Sequence, residues 1–309
     1  MRAGPSLTRK GDNSVRRKKD IDKWIMLLPA TIVIAFVLFY PVISTIVISF
    51  QKRNLFMPQL SRFVGLDNYI SILSSQEFWD AMKVTLYFTV VSVGAEFIIG
   101  LFTAILLNQN FKMKSFLRVL VILPWAIPTV VNGVLWQWIF DANYGALNGL
   151  LKEMGLINSY INWLGAPFRA LNMVIIADVW KNSWFFTIVL LGALQTIPRS
   201  YFEAAEVDGA GFWSRLFKVT IPLLRPAIAV SLVLRTSEAF KVFDIIYIMT
   251  KGGPANGTQV LSYYVYHTSF EALKLGQGAA ISTIIAVVIL IIALLYTRML
   301  MREEVEINA

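Results

Sequence analysis

WIMLLPATIVIAFVLFYPVISTIVISF, Trp24 to Phe50, carries no charged residue across 27 positions. At the 1.5 Å rise of an α-helix, this exceeds the ~20 residues that cross the hydrocarbon of a bilayer. Pro29 and Pro41 interrupt the run and predict kinks. A cleavable signal peptide is the competing reading. The run is too long for one, and no small-residue cleavage site closes it. It therefore reads as a spanning anchor.

Working outward, five further apolar blocks follow, at 81–107, 119–140, 171–194, 227–249 and 279–300. Glu96 sits inside the second, and the fifth carries several charges. Composition agrees with membrane residence. Hydrophobic residues make up 57% and charged residues 15%, against a usual ~25% charged. There is no cysteine, which excludes a disulfide scaffold and a thiolate nucleophile. His267 is the single histidine, which excludes a multi-histidine metal site in this chain. Nine tryptophans and eleven tyrosines suit a protein with two membrane interfaces.

Six crossings put both termini on one side, and Lys/Arg asymmetry says which. The amino-terminal stretch holds Arg2, Arg9, Lys10, Arg16, Arg17, Lys18, Lys19 and Lys23. Loops on the same side add Lys112, Lys114, Arg118, Arg199, Arg215, Lys218 and Arg225, and the tail adds Arg298 and Arg302, giving 17. The opposite loops hold 7: Lys52, Arg53, Arg62, Lys152, Arg169, Lys251 and Lys274. The positive-inside rule makes both termini cytoplasmic. The net charge of +9 thus follows topology rather than a nucleic-acid footprint. The expected organisation is a basic cytoplasmic tail at 1–23, a six-span domain at 24–300 and a cytoplasmic tail at 301–309. The outer loops, roughly 51–80, 141–170 and 250–278, are long and mix aromatics, Asn, Gly and charges. They predict short interfacial helices and a surface for docking.

The cytoplasmic stretch IPRSYFEAAEVDGAGFWSRLFKVTIPLLRP, Ile197 to Pro226, is longer than a plain connector needs to be. Pro198 and Arg199 open a helix, Asp208–Gly209 marks a turn, and 211–219 forms a second helical piece. Pro222 and Pro226 are expected to break that piece before the fifth block. In the first piece Ala204 and Ala205 permit close approach, while Glu203 and Glu206 offer polar contacts. This reads as a knob for a soluble partner. A helix lying on lipid is the other reading, disfavoured because its polar face lacks Lys/Arg enrichment.

Here the sequence resembles a family. Glu203, Ala204 and Ala205, then Gly209, then Val219, Ile221 and Pro222 reproduce the spacing of the EAA loop of bacterial importer permeases of the ATP-binding-cassette class. Asp208–Gly209–Ala210, Pro226 and the outer Gly252–Gly253–Pro254 resemble the sugar-importer branch, near the maltose-type and glycerol-phosphate-type permeases. The resemblance implies an all-α integral membrane fold of six helices with a cytoplasmic coupling-helix loop at 197–226, the type I importer architecture. It implies a permease subunit in the bacterial cytoplasmic (inner) membrane, not itself an enzyme. A second homologous permease, two ATPases carrying ATP and Mg, and a periplasmic or extracellular solute-binding protein are the implied partners, besides membrane lipid. Glu203, Ala204, Ala205, Asp208, Gly209 and Ala210 would couple the spans to an ATPase.

The chain has no Walker A motif. Gly252 to Thr258 has Gly, four residues, Gly, but Thr where Lys is required. No cofactor site is expected here. A carrier driven by an ion gradient or a six-span channel subunit is the alternative, and a carrier would usually show internal repeats. Within the spans, Arg235 and Glu238 fall roughly 12–17 Å from the cytoplasmic start of their block, and Asp178 and Lys181 roughly 10–15 Å from the outer start of theirs. Charges inside spans are costly and often functional. One reading has Lys181, Trp184, Arg235 and Glu238 bordering a passage for a sugar or sugar derivative. The other has them forming internal salt bridges that hold the bundle together or bind the second permease.

Overall fold

The computed structural model describes residues 26–54, 56–57, 59 and 61–307. The basic stretch 1–23, with Trp24, lies outside the described residues. Helices dominate. The first, α1 (Met26–Ser49), is followed by a hairpin of β1 (Gln51–Lys52) and β2 (Arg62–Phe63). Next come α2 (Asp67–Leu73), α3 (Gln76–Asn108), α4 (Lys114–Ile122), α5 (Thr129–Ile139) and α6 (Ala146–Glu153). They are followed by α7 (Pro167–Asn182), α8 (Trp184–Thr196), α9 (Arg199–Val207) and α10 (Phe212–Arg215). The chain ends with α11 (Ile221–Phe240), α12 (Asp244–Met249), α13 (Leu261–Tyr266) and α14 (Leu275–Ile307). Each long connector between spans holds a short helix, α2, α6 or α13, as its mixed composition predicts.

Five helical stretches are long and apolar enough to cross a membrane: Met26–Ser49, Gln76–Asn108, Pro167–Thr196, Phe212–Met249 and Leu275–Tyr296. The third apolar block is different. Its helix α4 continues as a tighter turn, Leu123–Ala126, and then bends by 96° into α5. Ile127 is extended, as a residue before proline prefers, and Pro128 caps α5. The span expected at 119–140 is therefore not one helix but two pieces that bend at Ile127–Pro128. Side-chain amides fasten the second half in place. Asn132 Nδ2 donates to the Ala177 carbonyl at 3.2 Å, and Gln137 Nε2 donates to those of Ile248 and Met249 at 2.8 and 3.0 Å.

Pro222 and Pro226, expected to break their helical piece, do not, and Pro41, expected to kink α1, leaves it a continuous helix. Pro41 follows a wide π-turn at Ala35–Phe39, and Pro222 follows another at Leu216–Thr220. A proline leaves the carbonyl four residues back without its donor, and its ring crowds that carbonyl. An added residue in the preceding turn relieves the crowding. At the second site the Ile221 N–H reaches the Leu216 carbonyl and Thr220 Oγ1 donates to that of Arg215 at 3.2 Å. The helical path thus runs from Phe212 through Pro222 and Pro226 to Phe240. It breaks later, at Lys241–Phe243, where the freed Val242 carbonyl accepts the Ser262 hydroxyl. The sequence alone suggested an unbroken helix there.

The centre of the bundle is α3, about 50 Å long, against α7, α8 and α11. Its buried positions Ala81, Thr85, Phe88, Ser92, Glu96, Gly100, Ala104 and Leu107 recur at three and four, the spacing of one helix face. Gly100 is a contact point: a Cβ there would overlap Phe186 of α8. Without it the two backbones close in far enough for Thr103 and Thr187 to share a hydroxyl hydrogen bond of 2.5 Å. The main core gathers Phe88, Leu101, Val174, Phe186, Leu190 and Leu224 among others. A second cluster at one end joins Ile72, Phe78, Phe240, Leu261 and Ile281. By contrast, α1 stands at the edge and meets α14.

Candidate functional site: a protruding loop and a buried ion network

At the end of α3 marked by Asn108, α9 stands off the bundle. Pro198 caps it in extended conformation and leaves no N–H to satisfy. Its other end closes on Gly209, whose φ of +72° is the left-handed region that glycine adopts without cost. Three bonds seal this end: Asp208 N–H to Ala204 O at 3.0 Å, Gly209 N–H to Glu206 O at 3.0 Å and Ala210 N–H to Ala205 O at 2.9 Å. Glu206 pairs with Arg215 of α10, so the two arms of the turn are tied together.

The sequence-predicted loop residues Glu203, Ala204, Ala205, Asp208, Gly209 and Ala210 lie together on this feature. All are exposed except Ala205 and Ala210, which are partly covered. Val207, at the tip, is 88% exposed. A groove of about 270 Å³ separates α9 from the bundle, with Phe202, Phe212 and Leu216 on one side and Ile105 and Leu194 on the other. Trp213 and Phe217 stack on each other at 6.1 Å and remain exposed. Exposed aromatic side chains such as Trp213 and Phe217 beside the turn are the residue types enriched where proteins meet.

Inside the spans, Arg235 of α11 joins three helices. Its Nε donates to Glu96 Oε2 of α3 at 2.6 Å, and Nη2 to Glu96 Oε1 at 2.8 Å. Nη2 also donates to Asp178 Oδ2 of α7 at 2.6 Å, and Asn182 Nδ2 holds the other Asp178 oxygen at 2.9 Å. Arg235 is 5% exposed and Glu96 is fully buried. The planar fork of the guanidinium takes Glu96 by two bonds and still reaches a second carboxylate.

The other predicted residues fall around this network. Glu238 is 3.8 Å from Arg235 Nη1, yet its side chain is 69% exposed. Lys181 turns to the α4–α5 bend, where Nζ donates to Thr129 Oγ1 at 2.5 Å. Trp184 faces the same bend and packs on Trp125 with centroids 4.6 Å apart. Its buried Nε1 has no hydrogen-bond partner among the described residues, nor has the Trp136 Nε1 or Asn132 Oδ1. Sequence spacing missed that Glu96 and Asp178 meet on one arginine. The signal was present as two isolated acids inside apolar blocks, but pairing them needs the helix rotations.

On α11 the exposed positions Val230, Leu234, Glu238 and, just past its end, Lys241 form one stripe. A carboxylate and an ammonium on the face of a membrane helix are not stable against lipid tails. That stripe belongs against water or another protein.

A bundle of this kind, with one knob at its end and a charged stripe left open, is a membrane-protein architecture with surfaces for partners. Comparison with known proteins gives the family. The chain belongs to the binding-protein-dependent transport system inner membrane components, whose family model matches residues 96–302. It is 40% identical over 275 residues to the trehalose/maltose transport system permease protein MalF of Thermococcus litoralis, covering 89% of this chain and 92% of that protein. It is 34% identical over 280 residues to the sulfoquinovosyl glycerol transport system permease protein SmoG of Agrobacterium fabrum, covering 91% and 90%. Among solved structures it resembles a chain of a bacterial ABC transporter involved in the import of the acidic polysaccharide alginate. The TM-score there is 0.79 at 27% identity, over 93% of this chain and 99% of that one. The chain is thus a multi-pass permease subunit of an ABC importer.

Proposed function

We propose that this chain forms half of the translocation pathway for a sugar or sugar derivative, and that α9 is the piece through which separate ATPases move it. The observation that carries the coupling role is α9 itself. It is a short capped helix, tied to α10 by Glu206–Arg215 and otherwise presented to solvent. Glu203 would make the main polar contact with the ATPase, Ala204 and Ala205 would allow close approach, and Gly209 would permit the turn flanked by Asp208 and Ala210. A push on a rigid corner continuous with α11 would reach the spans without being absorbed, which is what alternating access requires.

The open stripe on α11 supports a second homologous permease as the other wall of the pathway. Lys181, Trp184 and Glu238 offer the ammonium, indole and carboxylate groups that hydrogen-bond and stack on sugar rings. Arg235 would act there by holding Glu238 and the three helices in place. The sugar class is supported by similarity to permeases named for trehalose, maltose and sulfoquinovosyl glycerol. A solute-binding protein would deliver the solute to the connectors that hold α2, α6 and α13.

The test is uptake of labelled trehalose and maltose by vesicles holding this chain with its second permease, ATPases and binding protein. ATP-dependent uptake is expected, falling about tenfold or more for Lys181→Met, as befits a lost charge-assisted hydrogen bond. Uptake by particles lacking any ATPase would overturn the reading in favour of a gradient-driven carrier.

Orientation follows from the Lys/Arg count. The termini and α9 would be cytoplasmic, with 1–23 and 301–309 as tails of the 24–300 permease domain. Reporter fusions check it: a fusion after Gly155 should be active only as a periplasmic reporter, and one after Ser214 only as a cytoplasmic reporter. The reverse pattern would invert the topology.

A further inference from the structure

The groove at α9 lies at one end of α3, and a cationic cavity lies near the other. It measures about 450 Å³. Lys52, Arg53, Arg62 and Lys274 line it, against one carboxylate, Asp67. Lys52 and Arg62 are direct partners across the β1–β2 ladder. Like charges placed opposite each other on antiparallel strands are destabilising. None of the four cations makes an ion pair among the described residues.

The backbone beneath them is fixed. Asn68 Nδ2 of α2 donates to the Ser49 and Gln51 carbonyls at 2.8 and 2.9 Å. The Gly276 N–H of α14 donates to the Arg53 carbonyl at 3.2 Å. Gly276 makes that approach possible, since a Cβ there would overlap the Gln51 carbonyl. Three segments are therefore held so that the four exposed cationic residues border one cavity.

Next to the cavity the surface is apolar. Phe56 and Phe63 are each 77% exposed, and Leu66, Ile70 and Leu73 form an exposed stripe at helical spacing along α2. The stripe is one residue out of phase with Asp67, Asn68 and Ser71, which line the cavity. A polar face beside an apolar one, at the end of a spanning helix, is the arrangement of a segment seated in the lipid interface.

We propose that this cavity binds the phosphate of an anionic phospholipid, with the acyl chains lying on the Phe63 and Ile70 surface. A phosphate diester whose headgroup carries no cation satisfies several Lys and Arg donors at once and, unlike zwitterionic phosphatidylcholine, brings the net negative charge that offsets Lys52 beside Arg62. The solute-binding protein proposed above for these connectors is the competing occupant, and the test separates the two.

The test uses the assembled transporter in nanodiscs of phosphatidylcholine with and without phosphatidylglycerol, comparing the native chain with the Lys52→Gln/Arg62→Gln double variant. Native mass spectrometry counts retained phosphatidylglycerol, and a thermal midpoint is measured in each lipid. The native complex should retain phosphatidylglycerol and melt higher in its presence. The variant should lose retention by about 30-fold, because attraction to an anionic surface accumulates with each cation. In phosphatidylcholine alone the variant should be at least as stable as the native chain, because the opposed charges are gone. That crossing separates a lipid site from damage to the fold. Equal retention by both forms would overturn the proposal. So would binding of inorganic phosphate with no retention of phosphatidylglycerol, or loss of solute-binding-protein capture in the variant with lipid retention unchanged.

Discussion

Arg235→Met is expected to cost about 3–5 kcal/mol and to abolish most folded, detergent-stable complex, because it leaves Glu96 and Asp178 facing each other without their shared cation. Neither carboxylate can turn to water: Glu96 is fully buried and Asp178 is 6% exposed. Methionine keeps the apolar stem, so lost packing contributes little. Adding Glu96→Gln and Asp178→Asn to the same chain should recover most of the loss, since the expense lies in unpaired charge rather than in missing volume. Thermal unfolding followed by size-exclusion fluorescence reads both steps. A single variant as stable as the native chain would show that the network carries no stability, and a triple variant no better than the single one would point to geometry instead.

Glu203→Arg is expected to separate ATP hydrolysis from transport. The side chain is exposed and makes no ion pair among the described residues, so folding should be untouched. If it docks in an ATPase cleft, reversing its charge should remove about 2–5 kcal/mol of docking energy, roughly 30-fold or more in affinity. Uptake should fall accordingly while the ATPases continue to turn over or dissociate. The two results are read on one preparation, by phosphate release and by solute accumulation. Unchanged transport and unchanged assembly would remove Glu203 from the role given to it here.

The spans were legible because bilayer burial demands long apolar runs, and Trp24–Phe50 has no charge to oppose the demand. The turn at Asp208–Gly209 was legible for a different reason. A helix that stops there needs a left-handed residue, and the Asp208–Gly209 pair carries that signal in linear order. Prolines were misleading. Pro41 and Pro222 carry a helix-breaking signal, but a π-turn just before each absorbs the missing donor, and a turn of that kind has no composition of its own. The third block read as one straight span because periodicity does not report a 96° bend at Ile127–Pro128.

The charged residues of the spans divide in the same way. Sequence places Asp178, Lys181, Arg235 and Glu238 at compatible depths, and depth is a linear quantity, set by 1.5 Å per residue. It does not say which helix face meets which. That is a rotational and packing question, answered by contacts such as Gly100 against Phe186, which join residues far apart along the chain. The sequence by itself therefore determined membrane residence, the order of the spans and the knob at Glu203–Gly209. Only the tertiary structure decided that Arg235 ties three helices through Glu96 and Asp178, that Lys181 and Trp184 face the α4–α5 bend, and that Glu238 is left on an open stripe. The physical reason is that hydrophobic burial and turn chemistry act along the chain, while a buried charge is settled only by the partner that packing brings within reach.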